Sequence, residues 1–206
     1  MSGRPAGSVF DVHVHFMHPR VLAKVWAYFD AAGPKLGRPW PITYRTSDEE
    51  RVETLRSLGV KHFSALSYAH RPGVAEFMNE WTDAFADRVP EALRCATFYP
   101  EIDAGEYVAR RIASGTQLFK AHLQVGDFHA DDPLLDPVWG ALEDAQVPTV
   151  LHAGSGPAGG AFTGPASVER TLARFPRLPL IIAHLGEPEV EEFLDLADRY
   201  DEVRLD

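Results

Sequence analysis

LFKAHLQVGDFHADDPLLDPVWGALEDAQVPTVLHAG, residues 118–154, contains one whole structural unit. Gln117 to Leu123 is a strand-like run in which Lys120 and His122 share one face, with Phe119, Ala121 and Leu123 on the other. Leu134 to Gln146 reads as an amphipathic helix. Thr149 to Ala153 is a second apolar run, interrupted only by His152 and followed by Gly154. Strand, helix and strand in this order form a right-handed βαβ unit with parallel strands.

Working outward, the same alternation fills the chain. Further strand-like runs are Val9 to Phe16, Lys61 to Tyr68, Leu93 to Tyr99, Leu180 to Leu185 and Glu202 to Leu205. Helix-like segments lie between them. Asp48 opens one with Glu49 and Glu50 in its first turn, and Gly59 closes it. Val74 to Arg88 carries Phe77, Met78, Trp81 and Phe85 at helical spacing and stops before Pro90. Asp103 to Ala113, Ala166 to Phe175 and Pro188 to Tyr200 repeat the pattern. The first helix, Pro19 to Ala31, precedes a Pro/Gly/Trp-rich loop from Gly33 to Tyr44. The choice lies between an open doubly wound sheet and a (β/α)8 barrel. No G-x-G-x-x-G follows the first strand, and the glycines after strand five lack a P-loop ending, so neither nucleotide motif is present.

Composition narrows the class. The 206 residues suffice for one domain, 1–206, with a sizeable core. The net charge of −10 argues against nucleic acid or an anionic membrane as partner. The one cysteine, Cys95, allows no intrachain disulfide and reads as a buried core thiol. The N-terminal MSGRPAGS lacks the apolar segment of a signal peptide, which predicts a cytoplasmic protein.

Polar residues fall where strands end, and catalytic groups of parallel barrels sit at the C-terminal strand ends. Strand one gives Asp11-Val12-His13-Val14-His15. Alternation predicts Asp11, His13 and His15 on one face, with Val12, Val14 and Phe16 on the other. Two imidazoles on one face of a strand suit a divalent metal; taken alone, they are equally two surface histidines on an edge strand. Strand four adds Lys120 and His122, strand five His152, and strand six His184. Such a set at equivalent strand ends favours a common site.

H-x-H on strand one, lysine on strand four, His-Ala-Gly on strand five and Ala-His-Leu-Gly on strand six resemble the amidohydrolase superfamily. The 118–154 segment is similar throughout to its amidohydrolase-related branch, which also contains aminocarboxymuconate-semialdehyde decarboxylase. The resemblance covers nearly the whole chain. It implies a (β/α)8 TIM barrel and metal-assisted hydrolysis or, in some members, non-oxidative decarboxylation. By the same resemblance His13, His15 and His152 match metal ligands. His184 matches a second-metal ligand or a catalytic acid/base group. Lys120 falls on the strand that supplies a carboxylated bridging lysine in binuclear members; a salt bridge or a substrate-binding ammonium is an equal alternative. His122 is expected behind the ligands, and Asp11 as a carboxylate fixing His13 or as a solvated strand-start acid. His18 and His129 lie beyond strand ends; His62 and His70 read as structural or exposed. Arg38 and Arg45, beside Trp40 and Tyr44, stand where a substrate carboxylate would be held or else pack on the surface.

The family completes its site with an aspartate on strand eight. Barrels of this type span ~250 residues, and the strands read here number about seven, so the expectation is an incomplete barrel from a longer enzyme. Asp206 follows strand seven and is not assigned that role. Open strand edges would favour pairing with a second copy, giving a homo-oligomer. The expected cofactor is Zn2+, with Mn2+ or Fe2+ also compatible; the expected partner is a small carboxylate or carbonyl compound. Three functions are compatible: a hydrolase of amide, ester or lactone bonds, a carboxy-lyase, and an inactive metal-binding domain.

Overall fold

A computed structural model describes residues 9–157 and 159–206. The MSGRPAGS segment and Ala158 in the loop after strand five lie outside the described residues. The described residues form seven strands: β1 Val9–Asp11, β2 Val60–Phe63, β3 Cys95–Thr97, β4 Leu118–His122, β5 Thr149–His152, β6 Leu180–Ile182 and β7 Val203–Leu205. The helices are α1 Pro19–Ala31, α2 Gly33–Leu36, α3 Asp48–Ser57, α4 Ala75–Arg88, α5 Ala104–Ala113, α6 Leu123–Gly126, α7 Asp136–Ala145, α8 Pro165–Arg174 and α9 Val190–Arg199. Short α2 lies inside the stretch expected as loop.

Every named strand pair is parallel and joins neighbours in sequence, in the orders β1-β2 and β3-β4-β5-β6-β7. Phe63 N–H donates to Glu91 O and Leu93 N–H to Phe63 O, linking the two groups of strands. The tips of β1 and β7 also meet through side chains described below. The fold is α/β of the TIM-barrel type, incomplete, with about seven β/α units.

Two-residue alternation sorts the strands into layers. On β4, Leu118 and Lys120 belong to one face and Phe119 and Ala121 to the other; on β5, Val150 and His152 oppose Leu151. Leu66, Cys95, Leu118, Val150 and Ala183 form one apolar cluster, a plug beneath the polar strand ends. Cys95 is buried and free, as expected. Phe119, Ala121 and Leu151 instead join Phe98, Trp139, Leu172 and Phe193 in the larger cluster between sheet and helices.

The first strand departs from the expected Val9 to Phe16 run. Asp11 Oδ1 accepts the His13 N–H at 3.1 Å. Ser64 Oγ accepts the Val14 N–H at 2.9 Å. Two side chains thus take backbone donors that a strand ladder would use. The alternation breaks there: Val12 packs with the inner plug, whereas Val14 and Phe16 pack outside with Val52, Phe63 and Phe85. His15 resumes pairing as an isolated parallel bridge to Leu66.

Candidate metal centre

The strand ends gather five imidazoles and one phenol into a closed circuit. Going round, ring centroids are separated by 5.2 Å for His15–His13, 4.6 Å for His13–His184 and 5.3 Å for His184–His152. The circuit continues at 3.8 Å from His152 to His122, 5.0 Å from His122 to Tyr68, and 5.7 Å from Tyr68 back to His15. All five site histidines named from the sequence are therefore brought together. Tyr68, which ends the second strand-like run, was not singled out as a site residue; its place at a strand end was the available signal.

Hydrogen bonds sort the ring nitrogens. His13 Nδ1 lies 2.7 Å from Asp206 Oδ2, and an ionised carboxylate only accepts, so Nδ1 carries that hydrogen. His13 Nε2 is buried and has no partner. His15 Nδ1 lies 3.2 Å from Leu66 O, and His152 Nε2 lies 3.1 Å from Gly156 O. Each carbonyl is an acceptor, so the bonded nitrogen is the donor and the other keeps its lone pair. His122 Nδ1 instead accepts the Val125 N–H at 3.4 Å, capping α6.

Burial sets the charge state. Desolvation, then Lys120 and His13, push His15 well below the ordinary histidine range. Burial, His152 and Lys120 do the same to His122. His152 falls to about 3, through burial and then Lys120. His184 is lowered by burial, His13 and Lys120. Lys120 itself is 1% exposed, its Nζ has no partner, and burial lowers its pKa to about 7 against the opposing pull of Asp206. The neutral imidazoles of His15 and His152, each with one nitrogen oriented by a carbonyl oxygen, are the donor form that a divalent ion takes. The residues present fit such an ion. The compact group with ligand atoms all within 4.8 Å of one another is His13, His184 and Asp206, a different trio from His13, His15 and His152.

Asp206 is the main correction to the sequence reading, which left it outside the site. Its Oδ1 accepts the His184 N–H at 2.8 Å, while its backbone carbonyl accepts the Leu185 N–H at 2.9 Å. Burial raises its carboxyl, but the bonds from His13 and His184 outweigh that and hold it below the usual range. Asp11, expected to fix His13, bonds its backbone rather than its ring. His184 does not sit on strand six: it lies in the Ala183–Gly186 turn with φ of 56°, followed by Leu185 at 55°. Consecutive left-handed non-glycine residues are costly, and such conformations concentrate at functional sites.

A cavity of 680 Å³ opens above the ring circuit, walled by Leu22, Phe29, Trp40 and Tyr44 from the first long connection. Arg38 lines it, with its guanidinium 5.0 Å from the Trp40 ring centroid. Arg45 does not line it. Its guanidinium is held by Asp30 and lies 5.8 Å from the Trp26 ring centroid. His70 is exposed at a neighbouring cavity, and His62 is exposed on β2.

With this architecture and site in view, comparison with known proteins identifies the class. The sequence profile of the amidohydrolase family matches residues 10–206, and the chain belongs to that family. No curated protein sequence matches it. Among solved structures, an uncharacterised TIM-barrel protein of Bordetella bronchiseptica superposes with a TM-score of 0.75 at 20% identity, covering 96% of this chain and 74% of the other. A 5-carboxyvanillate decarboxylase of Novosphingobium aromaticivorans, complexed with manganese and 4-hydroxy-3-methoxy-5-nitrobenzoic acid, gives 0.62 at 16% identity, covering 97% and 74%. A probable 2-pyrone-4,6-dicarboxylic acid hydrolase of Acinetobacter baumannii, with citric acid bound, gives 0.54 at 14%, covering 91% and 65%. At these identities the likeness is one of fold. No helix among the described residues is long and apolar enough to cross a membrane.

Proposed function

We propose that this protein is a metal-dependent hydrolase that attacks a carbonyl carbon of a small amide, ester or lactone at the histidine circuit. The observation that carries the reading is the sorting of ring nitrogens: His13, His15 and His152 each engage one oxygen and keep the second nitrogen available. These three residues would hold a divalent ion, Zn2+ by ligand type with Mn2+ or Fe2+ as alternatives, and it supplies Lewis acidity and a water of lowered pKa.

The chain's own groups do the rest. Asp206 keeps the hydrogen on His13 Nδ1, fixing the ring's orientation. His184, neutral and stacked beside His13, is placed to accept a proton and return it to the leaving group. Lys120, beneath the circuit, is a second cation for substrate charge or a second-metal ligand. The apolar cavity wall limits water near the reacting carbonyl.

A second reading, a carboxy-lyase releasing CO2 from an aromatic or unsaturated acid, is favoured by one specific observation. Arg38 reaches the same cavity as Phe29, Trp40 and Tyr44, which pairs a carboxylate receptor with flat apolar walls. Metal content and two assays test both readings: CO2 release from aromatic acids, and hydrolysis of esters, amides and lactones. One equivalent of metal, lost in His152→Ala with the circular dichroism unchanged, is the expected result. A metal-free protein after growth and dialysis with Zn2+, Mn2+ and Fe2+ would defeat both.

A further inference from the structure

A second cavity of 730 Å³ adjoins the first, and the two share Val25, Phe29, Tyr68, His122 and Pro157 as wall residues. Its chemistry is unlike the rest of this acidic chain. Arg20, Lys24, Lys35 and Arg71 line it, together with His70, and no aspartate or glutamate does. None of these four cations forms an ion pair among the described residues. Lys35 Nζ lies 5.8 Å from the Tyr28 ring centroid, and Arg71 and Lys24 both depress the His70 pKa, after burial. Glu101, which meets the wall residue Gly73, is already committed: it accepts the Gly73 N–H at 2.8 Å and the Tyr107 hydroxyl at 3.2 Å.

That clustering is informative because carboxylates are in excess, 30 against 20 basic residues. Elsewhere on the surface arginines find them: Arg56 meets Glu91, Arg111 meets Glu76 and Asp83, and Arg174 meets Asp136. Among the described residues, the other cations without a carboxylate partner are Arg38 and Lys120 in the inner cavity, and Lys61 and Arg204 away from both. Unpartnered positive charge therefore follows the two adjoining cavities. The outer chamber also has apolar walls, including Tyr28 at 49% and Phe77 at 48% exposure. An apolar wall rimmed by cations suits an amphipathic anion, and a low-dielectric cleft focuses its field on entering substrate.

We propose that the outer chamber is an anion subsite that holds the distal carboxylate or phosphate of an extended substrate whose reacting end lies at the histidine circuit. The substrate class is then a dianion with a flat or apolar body between its two charges. This rests on the proposed placement of the chemistry, but the binding it predicts is measured separately from turnover.

The test is calorimetric titration of the metal-loaded full chain with biphenyl-4-carboxylate, biphenyl-4,4′-dicarboxylate and 4′-phosphonobiphenyl-4-carboxylate. A second charge-assisted contact is expected to tighten at least one dianion about tenfold over the monoanion. The preference should shrink to about twofold in Lys24→Gln/Arg71→Gln and weaken with added salt. Which dianion gains identifies the distal group. Equal affinity for all three probes, or a preference untouched in the double variant, overturns the proposal. If no metal binds but the dianion preference and its loss persist, the subsite stands and the catalytic reading falls. If metal and monoanion bind without any dianion preference, the reverse holds.

Discussion

His13 Nδ1 and Asp206 Oδ2 lie 2.7 Å apart, joining residues 193 positions distant in sequence. The contact ties the segment after β1 to the end of β7. It also turns the free Nε2 of His13 toward the interior, where it has no other partner. The same carboxylate receives the His184 N–H, so one side chain positions two of the site histidines.

Asp206→Asn tests this. The amide keeps the size but loses the charge that orients His13, and divalent metal affinity is expected to fall about 10- to 100-fold. Competition against a chelating dye measures it. Unchanged affinity with intact secondary structure would remove Asp206 from any positioning role.

Lys120 gives a prediction for pH. Its folded pKa, lowered by burial to about 7, lies below the 10.5 of an unhindered lysine. Between those values the unfolded chain binds the extra proton, so stability of the metal-free protein should rise with pH across that window. Below about 7 both states are protonated, and the cost of burying the ammonium is fully present. Lys120→Met should flatten the rise and raise stability at pH 7, read from urea midpoints at pH 7, 8, 9 and 10. A wild-type midpoint independent of pH in this range contradicts the burial of a titrating amine.

How much of this was legible from sequence divides along physical lines. The alternation of Lys120 and His122 against Phe119 and Ala121, and of His152 against Leu151, follows from two-residue periodicity, and the structure keeps it. The Asp11–His15 run failed the same rule because Asp11 and Ser64 side chains compete for backbone N–H groups, and a competitor 50 residues away leaves no local mark. The place of Asp206 depends on closure between the first and last strands, which no window of sequence contains. Arg38 and Arg45 look equivalent as residues in one connection. They differ because Asp30, at the end of α1, captures Arg45.

Arg51 supports the site from outside. It is 8% exposed, donates to His15 O at 3.0 Å and Asp48 Oδ1 at 2.6 Å, and stacks 4.3 Å from the Phe16 ring centroid. Arg51→Met leaves the Asp48 carboxylate without this donor and frees the His15 carbonyl. A loss of about 3 kcal/mol is expected from chemical unfolding, with weaker metal binding as His15 loosens. A change under about 0.5 kcal/mol, typical of an uninvolved surface position, would show that the contacts are dispensable.

Gly186 is required twice over. Its φ is 74°, and a Cβ there would lie 2.0 Å from Phe193 Cδ2. Gly186→Ala must strain the backbone and push α9 from the sheet, so a destabilisation of about 2 kcal/mol or more is expected. Thermal unfolding measures it, and an unchanged midpoint would mean that the turn has another conformation.

The sequential order of the strands has a consequence for how the site comes into being. Each strand pairs with the one just before or after it in the chain, so the ladder is assembled from loops of modest length, whose closure entropy is small. The His13–Asp206 contact is the opposite case, a closure across nearly the entire polypeptide. Core and site geometry are therefore expected to mature at different moments: a chain with most of its rungs in place would have its apolar plug but not the contact that orients His13. Metal affinity, if measured during refolding, is expected to appear only once β7 has docked against the segment after β1.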